Sequence, residues 1–258
     1  MDRITTVTKG KKPVSLHPYN AQSIGRRNEQ QDYFSFSDMF NESEYALIGA
    51  AAVLADGMGG MANGSAASRA AVEAFMEAYR NEACSIPDIC GRLYAAVQNA
   101  NKAVGMIDGA GSTLCAAVIK DCCLYWVSVG DSRIYLYRNR TVRQLNKEHN
   151  FGAALDKMVK SGIITKNEAD TDPRAAMLTS YLGIEELREV DSGGGFALLE
   201  GDSVLLCSDG LYRELSDNEI ADIIANSGDS VCDDLVGAAL DKGDINQDNI
   251  TVALIDID

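Results

Sequence analysis

The sequence predicts an α+β fold in which antiparallel sheets pack together and are covered by helices. Four apolar segments follow one another over residues 112–145 and are separated only by short polar turns, which is typical of successive hairpins. The helices are predicted in pairs, so the strict strand–helix alternation of a parallel sheet is absent. The 258 residues, 46% of them hydrophobic, can bury a sizeable core, and no long Pro/Ser-rich linker divides them. We therefore predict a single domain over residues 1–258.

The predicted elements alternate between blocks of strands and pairs of helices. Strands are predicted over residues 32–37, 45–55, 112–119, 122–129, 133–138, 141–145, 196–199, 203–207 and 250–255. Asn63 is expected to cap a helix that continues to residue 78, and further helices are predicted over residues 87–104, 216–225 and 229–240. Ser216 and Glu219 have the spacing of a capping box. The polar residues 146–184, with a helical stretch near 153–160, are expected to form a surface subdomain, which we call the flap.

Composition and charge exclude several classes of function. Lys and Arg total 23 against 38 Asp and Glu, so the formal net charge of −15 disfavours binding to nucleic acid and to anionic lipid. This acidity serves either solubility or the binding of divalent cations. The longest apolar stretch, residues 46–55, is too short to span a bilayer, which requires about 20 residues. Seven cysteines without a C-x-x-C pair, and a charged N-terminus, predict a cytoplasmic protein.

Acidic residues stand at the ends of strongly apolar strands. Asp56, Asp131 and Asp209 each follow an apolar run, and Asp248 precedes the last strand. An ionised carboxylate beside a hydrophobic core is costly unless it is paired or bound to a cation. A single Asp-Gly at a strand end is ordinary turn chemistry, but its recurrence on separate strands favours a metal site. Ligands that are all oxygen atoms select Mg²⁺ or Mn²⁺ over Zn²⁺.

Six motifs in order resemble those of the metal-dependent type 2C serine/threonine protein phosphatases, from about residue 21 to the C-terminus. The motifs are Arg27-x-x-Gln30-Gln31-Asp32, Ala55-Asp56-Gly57-Met58-Gly59-Gly60, Gly111-Ser112-Thr113, Val129-Gly130-Asp131-Ser132-Arg133, Ser208-Asp209-Gly210-Leu211 and Asp248-Asn249-Ile250-Thr251. The segments 145–149 and 178–183 are similar to those that flank the flap in the bacterial branch of this family. Each motif is weak evidence by itself, whereas the ordered set is strong evidence.

The resemblance implies a four-layer α-β-β-α sandwich, with two antiparallel sheets and helices on both outer faces. It also implies metal-dependent hydrolysis of phosphoserine and phosphothreonine in proteins, which reverses the action of a serine/threonine kinase. The implied cofactors are two Mn²⁺ or Mg²⁺ ions and a third, weaker ion that Asp131 would help to hold. Arg27 would bind the substrate phosphate bidentately, and Arg27 and Asp56 would be the catalytic residues. The partners would be phosphorylated proteins and a cognate kinase, and the chain would be a monomer.

The resemblance also assigns the remaining metal ligands. Asp56 would bridge the two ions, and the Gly57 carbonyl would coordinate one of them. Asp209 and Asp248 would complete the other, whereas Asp32 would act mainly through water. Two adjacent cations lower the pKa of a water molecule that they share, so that hydroxide can attack phosphorus in line.

The chain departs from the family pattern at two positions. Met58 stands where eukaryotic members have a histidine that is proposed as the general acid, so leaving-group protonation must come from elsewhere. Gln31 stands where many relatives have a carboxylate or an amide, and it can act only as a neutral ligand or through another ligand. His149 opens the flap, and we expect it to be a packing or surface residue.

Two other functions compete with this prediction. An aspartyl-phosphate phosphatase usually shows two acids one residue apart after a strand, and Asp56-Gly57-Met58 lacks the second acid. A non-catalytic signalling module with the same fold should have lost an aspartate of the bridging set or the arginine, and the sequence retains them all.

Overall fold

The computed structural model describes residues 4–6, 14–58 and 63–258. Gly59 and Gly60 of the second motif lie outside the described residues. The strands are β1 (Ile4–Thr6), β2 (Val14–Ser23), β3 (Asp32–Phe36), β4 (Ala50–Asp56), β5 (Leu114–Lys120), β6 (Cys123–Val129), β7 (Arg133–Arg138), β8 (Thr141–Gln144), β9 (Asp191–Ala197), β10 (Asp202–Cys207) and β11 (Ile250–Ile257).

The helices lie between these blocks of strands. They are α1 (Glu42–Ile48), α2 (Gly64–Asn81), α3 (Ile89–Gly105), α4 (Phe151–Lys160), α5 (Lys166–Asp170), α6 (Asp209–Tyr212), α7 (Asp217–Ser227) and α8 (Val231–Asp241), with a 3₁₀ turn at Gly228–Ser230. Within the described residues, no helix is both long enough and apolar enough to cross a membrane.

The strands form two antiparallel sheets that pack face to face. The first sheet has the order β1-β2-β11-β10-β7-β8, and the second has the order β3-β4-β5-β6-β9. One buried cluster, which includes Leu54 and Leu206, fills the space between the sheets. A second cluster packs α2 and α3 on the outer face of the second sheet, and a third packs α7 and α8 on the outer face of the first. The predicted four-layer α-β-β-α sandwich is therefore confirmed.

Local sequence signals determine the hairpins and the helix ends. Asn139 and Arg140 both have positive φ angles, 52° and 60°, which suits a two-residue turn between strands that twist to the right. In the preceding hairpin the two turn residues are Asp121 and Cys122, so the predicted turn is one residue early and Cys122 is not a strand residue. The capping box of Ser216 and Glu219 is present at the start of α7.

Two further predicted strands are wrong in position, and one long strand is missing from the prediction. Residues 45–48 belong to α1 and not to a strand, because the side chain of Asn41 accepts from two backbone N–H groups and caps a helix there. Gly49, with φ of 78°, ends this helix before β4 begins. The strand predicted at residues 196–199 is the end of the longer β9, and β2 was not predicted because its sequence is largely polar.

Asn63 begins α2 in a different way from the one predicted. It occupies the position before the helix, but its φ of 63° is left-handed and its side chain caps no backbone N–H group. The side-chain amide instead donates to the carbonyl of Asp108, 3.3 Å away. The helix start is therefore tied to the loop that follows α3.

Tyr79 connects the buried faces of α2 and α3. Its ring stacks on Phe75, with centroids 6.1 Å apart, and the buried Arg92 guanidinium lies 4.5 Å from its centroid. The Tyr79 hydroxyl donates to the carbonyl of Ile48 and accepts from Arg92 Nη2, both over 3.2 Å. The hydroxyl thus satisfies two polar groups that have no access to water.

Replacing Tyr79 by Phe should lower the free energy of unfolding by about 1–3 kcal/mol, because the Arg92 guanidinium loses a partner in the core. Tyr94→Phe on the same helix pair is the matched control, since the Tyr94 side chain is 53% exposed, and it should change stability by less than about 0.5 kcal/mol. Urea unfolding followed by circular dichroism measures both variants. Equal stabilities would show that the buried hydroxyl contributes nothing.

Candidate metal centre

Two aspartates lie directly opposite each other on neighbouring strands. In the antiparallel pairing of β3 and β4, Asp32 is the register partner of Asp56. Side chains at such positions have Cβ atoms about 4.5–5.5 Å apart, and like charges there destabilise a sheet. Asp32 is buried and Asp56 is partly buried, so water cannot screen the pair effectively. This arrangement requires protons or cations.

Asp32 also joins the two sheets at this end of the sandwich. Its Oδ2 atom accepts from Ser208 Oγ and from Thr251 Oγ1, each over 2.7 Å. Ser208 follows β10 and Thr251 lies in β11, so both hydroxyls come from the opposite sheet. The Oδ1 atom of Asp32 is buried and has no hydrogen-bond partner within the described part of the chain. One carboxylate oxygen is therefore held in place while the other is left for a ligand.

Four of the predicted site residues line one cavity of about 620 Å³. Asp56 ends β4, Asp131 follows β6, Asp209 begins α6 directly after β10, and Asp248 precedes β11. The cavity therefore opens where ends of both sheets come together. Widely separated aspartates do converge in space, as the sequence predicted, and Asp32 lies beside Asp56 as its register partner.

Burial and mutual repulsion make these carboxyl groups difficult to ionise. Burial raises the pKa of Asp32 to about 7, against hydrogen bonds from two hydroxyls, and Asp209 and Asp248 raise it further. Burial, followed by repulsion from Asp32 and then from Asp209, Asp131 and Asp248, raises the pKa of Asp56 well above its ordinary value. Burial and Asp209 raise the pKa of Asp131 to about 7. A divalent cation would remove this penalty.

Two arginines supply part of the missing positive charge. The Nη2 atom of Arg27 is 2.8 Å from Asp248 Oδ2, and the Nη2 atom of Arg213 is 2.7 Å from Asp209 Oδ2. The pKa of Asp209 is raised by burial, and Arg213 opposes that rise. Two guanidinium groups cannot balance five carboxylates, so the fully ionised site keeps a negative charge that favours further cations.

The donor set fits hard divalent cations. Asp209 Oδ1, like the corresponding atom of Asp32, is buried without a hydrogen-bond partner in the described residues, and such atoms are costly unless they meet a ligand. Within residues 4–6, 14–58 and 63–258, no group of three or more His, Cys, Asp or Glu side chains is arranged so that it could hold a metal ion. Mg²⁺ keeps several waters and commonly uses only one or two carboxylates, so this arrangement is compatible with ions that are also bound to water and to the Gly57 carbonyl.

Gly57 permits a close approach of two backbone segments at the site. A Cβ atom at this position would lie 2.1 Å from the carbonyl oxygen of Gly64 and 2.8 Å from that of Gln31. The Gly57 N–H group donates to the same Gln31 carbonyl over 2.9 Å. Glycine is therefore required for the start of α2 to pack against the end of β4.

Asn249 holds the segment that carries Arg27, a role that the sequence analysis did not find. Its side-chain Oδ1 accepts from the backbone N–H of Gln31 over 2.7 Å, and its Nδ2 donates to the carbonyls of Ile24 and Glu29. Asn249 is buried. The sequence signal that could have identified Asn249 is its position directly after Asp248 in the Asp-Asn-Ile-Thr motif.

His149 links the flap to the strand end that carries Asp131. Its Nδ1 atom accepts from the Gly130 N–H over 3.1 Å, and its backbone N–H donates to the Gly130 carbonyl. The ring is buried, and burial lowers its pKa, which favours the neutral form. Of the two predicted roles, packing or surface, these contacts fit the packing role. Gln31, the other departure considered, donates from Nε2 to Glu29 over 3.3 Å.

Comparison with known proteins identifies relatives over most of the chain. A profile of the family described as Protein phosphatase 2C matches residues 21–242. The serine/threonine phosphatase stp of Listeria welshimeri serovar 6b is 33% identical over 217 residues, which are 79% of this chain and 83% of the relative. The S. agalactiae serine/threonine phosphatase superposes with a TM-score of 0.77 and 28% identity, over 94% of this chain and 100% of that one.

A further solved structure bears on the metal site. The catalytic domain of the serine threonine protein phosphatase PstP, in complex with two manganese ions, superposes with a TM-score of 0.71 and 30% identity, over 95% of this chain and 99% of that one. The fold and these matches define a metal-dependent serine/threonine protein phosphatase. The chain belongs to the protein phosphatase 2C family.

In the absence of divalent ions, the fold should become more stable as the pH falls from about 8 to about 6. Folding raises the pKa of Asp32 and Asp131 to about 7, above the value of about 4 in an unfolded chain. At pH values between about 4 and about 7 the folded state therefore binds more protons than the unfolded chain, and this proton binding stabilises the fold. The stabilisation, on the order of 1 kcal/mol or more, is lost as the pH rises through the folded pKa. Thermal unfolding of chelated protein measures the effect. The Asp32→Asn, Asp131→Asn double variant should show a shallower slope, and an unchanged slope would contradict this origin.

Replacing Asn249 by Ala should lower the free energy of unfolding by about 2–3 kcal/mol, since it removes three hydrogen bonds between its buried amide and the backbone of residues 24–31. Asn99→Ala is the control, because the Asn99 side chain donates only within its own helix, to Ala95, at an exposed position. Chemical denaturation of both variants measures the difference. A loss no larger than that of the control would show that the Arg27 segment is held by other contacts.

Proposed function

We propose that this chain hydrolyses phosphoserine and phosphothreonine in proteins at the cavity formed by Asp56, Asp131, Asp209 and Asp248. The observation that carries the proposal is the convergence of these carboxylates in one cavity at the edge where the two sheets meet, with the half-exposed Arg27 paired to Asp248. Carboxylates bind the cations, and a cationic side chain at the rim suits an anionic substrate.

The carboxylates would hold two divalent ions, Mn²⁺ or Mg²⁺. When bound, such a pair lowers the pKa of water and stabilises negative charge on the phosphoryl group. Asp56 would contribute to both ions, the Gly57 carbonyl to one, and Asp209 and Asp248 to the other. Asp32, whose Oδ2 atom accepts hydrogen bonds from Ser208 and Thr251, would act mainly through water. Asp131 is the carboxylate where any third, weaker ion would bind, in competition with Arg213.

Arg27 would bind the phosphoryl oxygens. Its side chain is 52% exposed, and its contact with Asp248 uses the Nη2 donor. A guanidinium has five N–H donors in a planar fork, so Arg27 can keep one contact with the protein and still offer others to a phosphate. The described residues that line the cavity include Met58 and no histidine, which supports protonation of the leaving group by a route other than an imidazole.

The flap supplies the wall of the cavity that faces the substrate. Ala176, Met177, Leu178 and Tyr181 line it together with the carboxylates. Met177 is 61% exposed, so this wall presents an apolar surface beside an acidic one. We place recognition of the residues around the phosphorylated side chain on residues 146–184, treated as a flap subdomain of the single domain.

The cellular setting is also part of the proposal. All seven cysteines are unpaired, and the strongly acidic composition opposes binding to nucleic acid and anionic membranes. These features support a cytoplasmic location. We further propose a monomer that reverses the action of a cognate serine/threonine kinase on shared protein substrates.

Hydrolysis of phosphothreonine and phosphoserine peptides should require a divalent ion and Asp209. Removal of the ions with EDTA should abolish turnover, and Mn²⁺ or Mg²⁺ should restore it. Asp209→Asn, which keeps the shape of the side chain, should lower kcat at least about a hundredfold, because it removes a ligand charge. Phosphate release from a panel that includes phosphotyrosine peptides is the measurement.

The control is Asp217→Asn on α7, an exposed aspartate that accepts from the Tyr135 hydroxyl over 3.1 Å. It removes the same charge and should retain full activity. Turnover that persists without metal would exclude the proposal. A burst of one phosphate per enzyme with a trapped phosphoaspartate would support the aspartyl-phosphate alternative, and a folded, metal-binding protein without any turnover would support the non-catalytic one.

A further inference from the structure

Arg213 occupies a position that none of the six motifs predicted. It follows α6, four residues after Asp209, so the two side chains share one face of this turn. The backbone N–H of Arg213 donates to the Asp209 carbonyl over 3.0 Å, which fixes the start of its side chain. Its guanidinium lines the same cavity as Asp131 and Asp209.

The two carboxylate oxygens of Asp209 differ in their contacts. Arg213 Nη2 is 2.7 Å from Oδ2, whereas Oδ1 is buried and has no hydrogen-bond partner in the described residues. One oxygen is thus available to a metal ion, and the other is already neutralised by a side chain. A cation that bound on the Oδ2 side would have to displace Arg213.

Asp131 lies within the field of the same guanidinium. Asp131 is 5% exposed, and it lines the same cavity as the Arg213 guanidinium. A third ion at Asp131 and Asp209 would need oxygen ligands within about 2.0–2.6 Å. It would then lie within a few ångströms of a fixed positive charge, where repulsion is strong in a partly buried site.

We propose that the Arg213 guanidinium takes the place of the third, weaker cation at Asp131 and Asp209, so that this chain works with two metal ions. The inference rests on the proposed function, because it assumes that the other aspartates hold two ions. It differs from the expectation that the resemblance gave for Asp131. Arg213 is thereby a positioning residue, which sets the number of ions without contacting the substrate phosphate.

The test is the number of Mn²⁺ ions bound by the full chain, measured by equilibrium dialysis with elemental analysis and by calorimetry. The wild type should saturate with two ions. Arg213→Gln should bind an additional ion at least about tenfold more tightly than the wild type does. Arg213→Lys, which keeps the positive charge, should behave like the wild type.

The matched control is Arg80→Gln. Arg80 pairs with Glu44 over 2.7 Å and is 43% exposed, close to the 2.7 Å and 46% of Arg213 with Asp209. It removes the same charge far from the cavity, so any general effect of net charge on Mn²⁺ binding appears in both variants. The Arg213→Gln, Asp131→Asn double variant should lose the additional ion, and this loss would show that the ion binds at Asp131.

Asp131→Asn in the otherwise unchanged chain gives an answer even if Arg213→Gln does not fold. It should leave the wild-type stoichiometry at two ions. Three ions in the wild type with loss of one in Asp131→Asn, or an Arg213→Gln isotherm identical to that of the wild type, would overturn the inference. A wild type that binds no ions and hydrolyses no phosphopeptide would instead overturn the proposed function.

Discussion

The repulsion among carboxylates at the end where the two sheets meet constrains the rest of the structure. Asp32 and Asp56 are register partners in one sheet, and Asp209 and Asp248 reach the same place from the other. Neutral side chains cannot cancel this repulsion, and burial adds a desolvation cost to each ionised carboxylate. The carboxylates therefore have to be oriented by contacts that leave some of their oxygen atoms available to a ligand. The two hydroxyls that bind Asp32, for example, contact only its Oδ2 atom.

The fold could be predicted from the sequence wherever the signal was local. The Asn139-Arg140 turn and the capping box of α7 depend on neighbouring residues, and both are present. The sequence wrongly predicts a strand at residues 45–48, because a short apolar run is compatible with both a buried strand and a helix. The side chain of Asn41 determines the outcome by capping α1. β2 carries polar residues and gave no periodic apolar signal, although its pairing with β11 places it within the first sheet.

The candidate site was predictable to the same extent. An aspartate next to an apolar run can be recognised in the sequence, and Asp56, Asp131 and Asp209 were found in this way. Their partners could not be found, since the hydrogen bond from Ser208 to Asp32 joins residues 176 positions apart and depends on how the two sheets face each other. Arg213 differs from these partners because it lies close to Asp209 in the sequence. Its spacing of four residues from Asp209 is visible in the sequence, but it becomes meaningful only once Asp209 is known to begin a helix.

The two arginines of the site differ in what their surroundings allow them to do. Arg27 lies on the loop after β2, its side chain is 52% exposed, and its partner Asp248 is 32% exposed, so solvent and salt weaken their contact. The side chain of Asp209 is only 11% exposed and is fixed to Arg213 by the same helical turn. A guanidinium paired with a partly solvated carboxylate can exchange it for a phosphate at little cost, whereas one that neutralises a buried carboxylate cannot leave without exposing an uncompensated charge. The same chemical group would therefore suit substrate binding at Arg27 and lasting charge compensation at Arg213.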